Sequence, residues 1–257
     1  MQFELIPLLQ IQRDLYDIPR GQERFRVYLK TMMNSEGSDV DLLPMATMNP
    51  MGKEHIPKML DALLAMDAET VAASAIAEHF PEKLANTSAQ PDEYPGLFKV
   101  GLVIADDLMG GWTNRYSCEF SDRFEVKPRF KRGWLSVVLW TSELASEVPS
   151  AQQVREATLM TLYRATYIQQ HGTAHTLQEM LSQEGYAMKM AGCQQTMLVR
   201  EDIAYSQEVI LPYLESQDYP TLMACVFGDR AAHSLGYAPQ GLSEGAGFAV
   251  ALHQALQ

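Results

Sequence analysis

Apolar residues recur one helical turn apart through the first third of the chain. Phe25, Tyr28, Leu29 and Met32 form one such stripe, and Ile56, Leu60, Leu63 and Leu64 form another, which predicts two amphipathic helices. Pro57 suits the first turn of the second, where a missing amide donor does no harm. Asp67 is placed to cap a third helix in which Val71, Ala75, Ile76 and Phe80 share a face until Pro81 stops it. From Leu84 to Gly96 the chain carries Asn86, Thr87, Ser88, Pro91, Asp92, Glu93 and Pro95, a composition that packs no core and predicts a long surface loop.

The period then changes. Val100 to Ala105 is an unbroken apolar run. After it Trp112, Asn114, Tyr116, Cys118 and Phe120 alternate with Thr113, Arg115, Ser117, Glu119 and Ser121, the pattern of a strand with one apolar face. Trp134 to Trp140 is a further Val- and Leu-rich run. Joined by turns, the three predict an antiparallel meander. Helical signals return with two capping boxes, Ser150 with Gln153 and Thr176 with Glu179, which open a helical hairpin broken at Gly172. A further helix is expected from Glu201 to Leu214, bent near Pro212, a strand over Leu222 to Phe227, and a last helix capped by Ser243. The expected fold is therefore α+β: a largely antiparallel sheet over about residues 98–141 plus 222–227, packed with helices. It makes a single domain, residues 1–257, with an N-terminal helical subdomain at 1–84 and a loop at 84–97.

Composition narrows the class. Apolar residues are 47% and charged residues 20% of 257, which is an ordinary globular balance and not that of a disordered chain. Apolar runs such as Leu222 to Phe227 are far below the roughly 20 residues of a spanning helix, and Met1 to Gln10 lacks a basic segment ahead of an apolar one. A cytoplasmic protein with no membrane partner is expected. Thirty-two acids against 20 bases give a net charge of −12, which repels phosphate backbones and argues against nucleic acid as a partner. Lys127, Arg129, Lys131 and Arg132 are the local exception, read as a charged turn that blocks edge pairing or as a patch for an acidic partner.

Candidate chemistry concentrates between Lys99 and Arg115, where a buried run empties into Asp106 and Asp107, followed by Gly110, Gly111, Trp112, Asn114 and Arg115. The two acids can serve as acid and base or hold Mg²⁺ or Mn²⁺ through oxygen; the plainer reading is a solvated hairpin turn. Asn114 falls on the apolar face with Trp112 and Tyr116, where its amide demands a partner. Asp229 follows an apolar run in the same way and is a third candidate metal ligand, or else the cap of the short segment after it. His55 stands at a helix start after Asn49, Gly52, Lys53 and Glu54, a polar cluster suited to an anion.

Other motifs fail on context. His171 and His175 are separated by Gly172 and lack a glutamate between them, so they do not form a zinc pair of the protease type. Met45, Met48 and Met51 read as core filling before copper binding. Gly241 to Gly245 fits G-x-S-x-G without the strand or the later acid that motif needs. Cys118, Cys193 and Cys225 are odd in number and widely spaced.

Two functions follow. One is an enzyme acting on a small polar or anionic substrate, hydrolytic and assisted by a divalent cation at Asp106, Asp107 and Asp229. There Asp106, Asp107 and His55 act as acid, base or ligand, and Asn114, Arg115, Trp112 and Lys53 bind the small-molecule substrate. The other is a non-catalytic interaction or ligand-binding protein, with a homo-oligomer as one form of partnership.

Overall fold

Three short strands, all parallel, form the one sheet found among the described residues of the computed structural model, which are 1–81, 95–108, 114–126, 130–144, 150–196 and 198–257. They are β1 (Gln2–Leu5), β2 (Leu97–Ala105) and β3 (Trp134–Trp140), with β2 in the centre. The chain divides into two compact units, residues 1–113 with 127–158, and residues 114–126 with 159–257.

The expected antiparallel meander is overturned, and the molecule is helix-rich. Its middle strand is a helix, α5 (Arg115–Phe124). The apolar alternation that suggested a strand also places Tyr116, Phe120 and Phe124 four apart, on one face of a helix. Asn114 tips the choice, because its side-chain oxygen caps the helix by accepting from the Ser117 amide at 3.2 Å. Without a hairpin, residues 106–133 become a crossover long enough to return the chain parallel. The expected strand at 222–227 is likewise a helix, α10 (Tyr219–Phe227), capped by Asp218, which accepts from the Thr221 amide at 3.1 Å. Leu222 to Phe227 are all buried, and an apolar run covered on every side carries no period to tell the two structures apart.

In the first unit, β1 pairs only with Leu97 to Val100. Where it ends, α1 (Leu9–Leu15) completes the ladder with a side chain: buried Gln12 donates to the Ile104 carbonyl at 2.8 Å and accepts from its amide at 3.0 Å. The helices α2 (Gln22–Met32), α3 (His55–Ala65) and α4 (Ala68–His79) form where the stripes predict them, although Leu29 of the first stripe is exposed. Asp67 holds the N-cap of α4 in a left-handed conformation, φ 56°, and its side chain makes no capping bond. Glu69 instead reaches across to the first amides of α1, accepting from Leu8 and Leu9 at 2.6 and 3.0 Å. Met45 and Met48 are fully buried beside Leu8, Tyr28 and Trp134, as core-filling thioethers. A four-residue turn of helix, α6 (Thr141–Leu144), leaves the end of β3.

The helix α7 (Ala151–His171) begins in the first unit and ends in the second. Its capping box is present, Ser150 accepting from the Gln153 amide and donating its own to the Gln153 side chain. The second unit holds the rest of α7, then α8 (Leu177–Met190), opened by the Thr176/Glu179 box, α9 (Arg200–Ile210), α10, α11 (Asp229–Ser234) and α12 (Ala246–Leu256). A 3-10 turn at Leu211–Tyr213 ends α9 at Pro212. The N-cap of α12 is Gly245 and not the expected Ser243, whose carbonyl accepts from the Ala246 amide in the turn before the helix. No helix among the described residues is long and apolar enough to cross a membrane.

Candidate active site

Ala105 of β2 lies opposite Trp140 of β3, so both strands reach their carboxyl ends together. In parallel sheets that edge is where ligands are bound, because the chain leaves it in loops free to carry chemistry. Here the residues that leave β2 are Asp106 and Asp107, and those that leave β3 are Thr141 and Ser142. His55, the first residue of α3, completes the group.

The Asp106 side chain is 1% exposed and the His55 ring 18%. His55 Nε2 lies 2.9 Å from Asp106 Oδ1. The same oxygen accepts from the Leu108 amide at 3.2 Å, and the Thr141 hydroxyl lies 3.1 Å from it. That hydroxyl is also 3.0 Å from Asp107 Oδ1 and accepts from the Asp107 amide. Ser142 fixes Asp107 further, its amide donating to Oδ1 at 2.8 Å and its hydroxyl to Oδ2 at 2.5 Å. With Asp106 ionised, the imidazole proton lies on Nε2, and Nδ1 carries the lone pair. Nδ1 is buried and has no hydrogen-bond partner among the described residues.

A second layer pins the loop that delivers His55. Tyr16 of α1 donates its hydroxyl to the Asn49 carbonyl at 2.6 Å. Buried Arg24 of α2 stacks on the Tyr16 ring, 5.1 Å from its centre, and donates to the carbonyls of Ile18 and Pro50. Burial raises the Tyr16 phenol above its ordinary range; the Arg24 charge opposes the rise and that of Asp106 adds to it.

Of the residues singled out from sequence, Asp106, Asp107 and His55 converge. Lys53 is exposed on the loop before His55. Trp112, Gly110 and Gly111 lie outside the described residues. Asn114 and Arg115 belong to the second unit, where Asn114 caps α5 and donates to Ser234 at 3.2 Å, and Arg115 pairs with Glu119 at 2.7 Å. Asp229, also in that unit, accepts from the amides of Gln240 and Gly241 at 2.8 and 2.9 Å; it neither caps α11 nor ends a strand. Among the described residues no three His, Cys, Asp or Glu side chains gather as a cation cage. Of the basic island, Lys127 and Arg129 lie outside the described residues, while Arg132 pairs with Asp39 at 2.5 Å and donates to the Val40 carbonyl. His171 stacks on Tyr167 at 4.3 Å.

Thr141 and Ser142 carried no signal alone. Their position did: two hydroxyl residues follow one apolar run as two acids follow another. No family model, curated protein or solved structure matches this chain.

Proposed function

We propose that the first unit is an acid–base enzyme in which His55, oriented by Asp106, accepts a proton on Nδ1 from water or a substrate hydroxyl and returns it to the leaving group. Hydrolysis of a small polar substrate is the simplest reaction of that kind. The observation that carries this reading is the unequal treatment of the two ring nitrogens: Nε2 is held by a buried carboxylate, and Nδ1 is a buried acceptor with no partner among the described residues. Buried acceptors are ordinarily satisfied, so one left open beside an orienting acid suits a proton acceptor. Asp107 and Ser142 hold the carboxyl ends of the strands in place around it.

The test uses the full chain against p-nitrophenyl acetate and p-nitrophenyl phosphate, followed by a panel of small esters, amides and phosphoesters. His55→Gln and Asp106→Asn should each lower turnover by roughly 100-fold or more while leaving the circular dichroism spectrum unchanged. Equal turnover in wild type and both folded variants, or none across the panel, overturns the assignment.

A further inference from the structure

The hydroxyl of Thr141 has one proton and two carboxylates within reach, Asp106 Oδ1 at 3.1 Å and Asp107 Oδ1 at 3.0 Å. Thr141 is fully buried, so water does not share the task. Donors crowd the first of these oxygens: His55 Nε2–H, the Leu108 amide and the Thr141 hydroxyl all point at Asp106 Oδ1, where an oxygen offers about two lone pairs. Asp107 Oδ1 keeps the Ser142 amide, at 2.8 Å, when Thr141 turns away. The oxygen of Thr141 stays fixed in both arrangements, because it accepts from the Asp107 amide at 3.1 Å.

We infer that Thr141 is a positioning residue that sets how firmly Asp106 holds His55, by directing its single proton to Asp106 or to Asp107. When it serves Asp107, Asp106 Oδ1 loses one donor while keeping His55 and the Leu108 amide, and it draws more strongly on the Nε2 proton. When it serves Asp106, that pull relaxes. Asp107 thereby influences His55 without touching it, through one rotation about a hydroxyl bond. The inference rests on reading His55 and Asp106 as an acid–base pair and adds what regulates that pair.

The test is the ¹⁵N shift of His55 Nε2, read through the carbon-bound ring protons so that exchange with solvent does not hide it, and assigned by its loss in His55→Gln. Thr141→Val removes the hydroxyl at nearly constant volume and should move the shift downfield, toward a stronger hydrogen bond. Asp107→Asn weakens the competing acceptor, returns the Thr141 proton to Asp106 and should move it upfield. Thr141→Ser should leave it in place. Opposite signs in the first two variants support the inference; the same sign, or no movement in either, overturns it. Should Thr141→Val lose its native dichroism, Thr141→Ala carries the same expected sign. Tyr16 and Arg24, which hold the loop before His55, and the neighbouring Lys53 and Glu54 are untouched by these substitutions. The two proposals fail separately: opposite shifts in a protein that turns over nothing leave Thr141 in its role and remove the enzyme, whereas turnover that needs His55, with shifts indifferent to Thr141, does the reverse.

Discussion

Replacing Glu184 with Gln should destabilise the second unit by about 3 kcal/mol or more. Glu184 is 1% exposed and receives both Arg164, through Nε at 2.6 Å and Nη2 at 2.8 Å, and Arg123 at 2.6 Å. Arg123 goes on to Glu119 at 3.1 Å, and Glu119 to Arg115 at 2.7 Å, giving a ladder of alternating charge. Burial alone would raise the Glu184 carboxyl, but the charges of Arg164 and Arg123 and their hydrogen bonds outweigh it and pull the group from 4.5 down to about 2. At about 1.4 kcal/mol for each tenfold, that depression gives roughly 3 to 4 kcal/mol of stability from ionising this one group. The folded value is the lower one, so the contribution is complete above pH 4.5 and is lost as pH falls toward 2. The amide variant suffers that loss at every pH and strips buried Arg164 of its carboxylate while Arg123 keeps Glu119, and breaking a buried pair costs about 3 to 5 kcal/mol. Urea unfolding followed by far-ultraviolet dichroism measures it at pH 7 and at steps down to pH 2. Trp134 and Trp140 are buried in the first unit, so indole emission in the same titration follows that unit. A variant within 1 kcal/mol of wild type at pH 7, or one whose stability falls as steeply between pH 5 and 2, would refute the reasoning.

Two further outcomes follow from buried groups with a defined partner. Gln12→Ala leaves the amide and carbonyl of Ile104 without the bonds that end the ladder of β2; at about 1 to 3 kcal/mol for each stranded group, the loss should reach roughly 2 kcal/mol or more in urea unfolding monitored by tryptophan emission, and an unchanged midpoint would dismiss the role given to the side chain. The Cys225 thiol, fully buried, is pushed up to about 11 chiefly by burial, with the Asp229 charge adding to it; Ellman's reagent at pH 8 should leave it unmodified in the native protein and react with it once denaturant is added, as mass mapping of the labelled peptide will show.

Periodic segments were legible in the chain because period reports the face that must be buried. The stripes of α2, α3 and α4, the two capping boxes and the break at Pro212 all stand where the pattern puts them. Two kinds of segment were not. Tyr116, Phe120 and Phe124 satisfy a period of two over a short window and a period of four over a longer one, and only the capping bond of Asn114 decides between them. Leu222 to Phe227 is buried on all sides and has no period at all. The four residues of β1 fall below the length at which alternation can be recognised, and they were not expected as a strand. At the site, acids after an apolar run marked Asp106 and Asp107, and a polar helix start marked His55. Asn114, Arg115 and Asp229 were drawn toward them by the supposed strands, and left when those strands proved to be helices.

The direction of one strand therefore decides the chemistry. In an antiparallel hairpin the end of β2 would meet the start of β3, placing Trp134 beside Ala105 and sending residues 141 and 142 to the opposite edge of the sheet. Asp106 and Asp107 would then turn into solvent, as glycine-flanked acids do. Parallel pairing reverses this: with Lys99 opposite Trp134 and Ala105 opposite Trp140, the first residue beyond each strand meets the first beyond the other, so Thr141 lands on Asp106. Because successive strand residues point to opposite faces, Asp107 joins the group only through the turn in which the Leu108 amide bonds back to Asp106 and the Asp107 amide bonds to Thr141. Asn114, read from the sequence as a substrate ligand, caps α5 in the second unit instead, and it is the shared direction of β2 and β3 that brings Thr141 to Asp106.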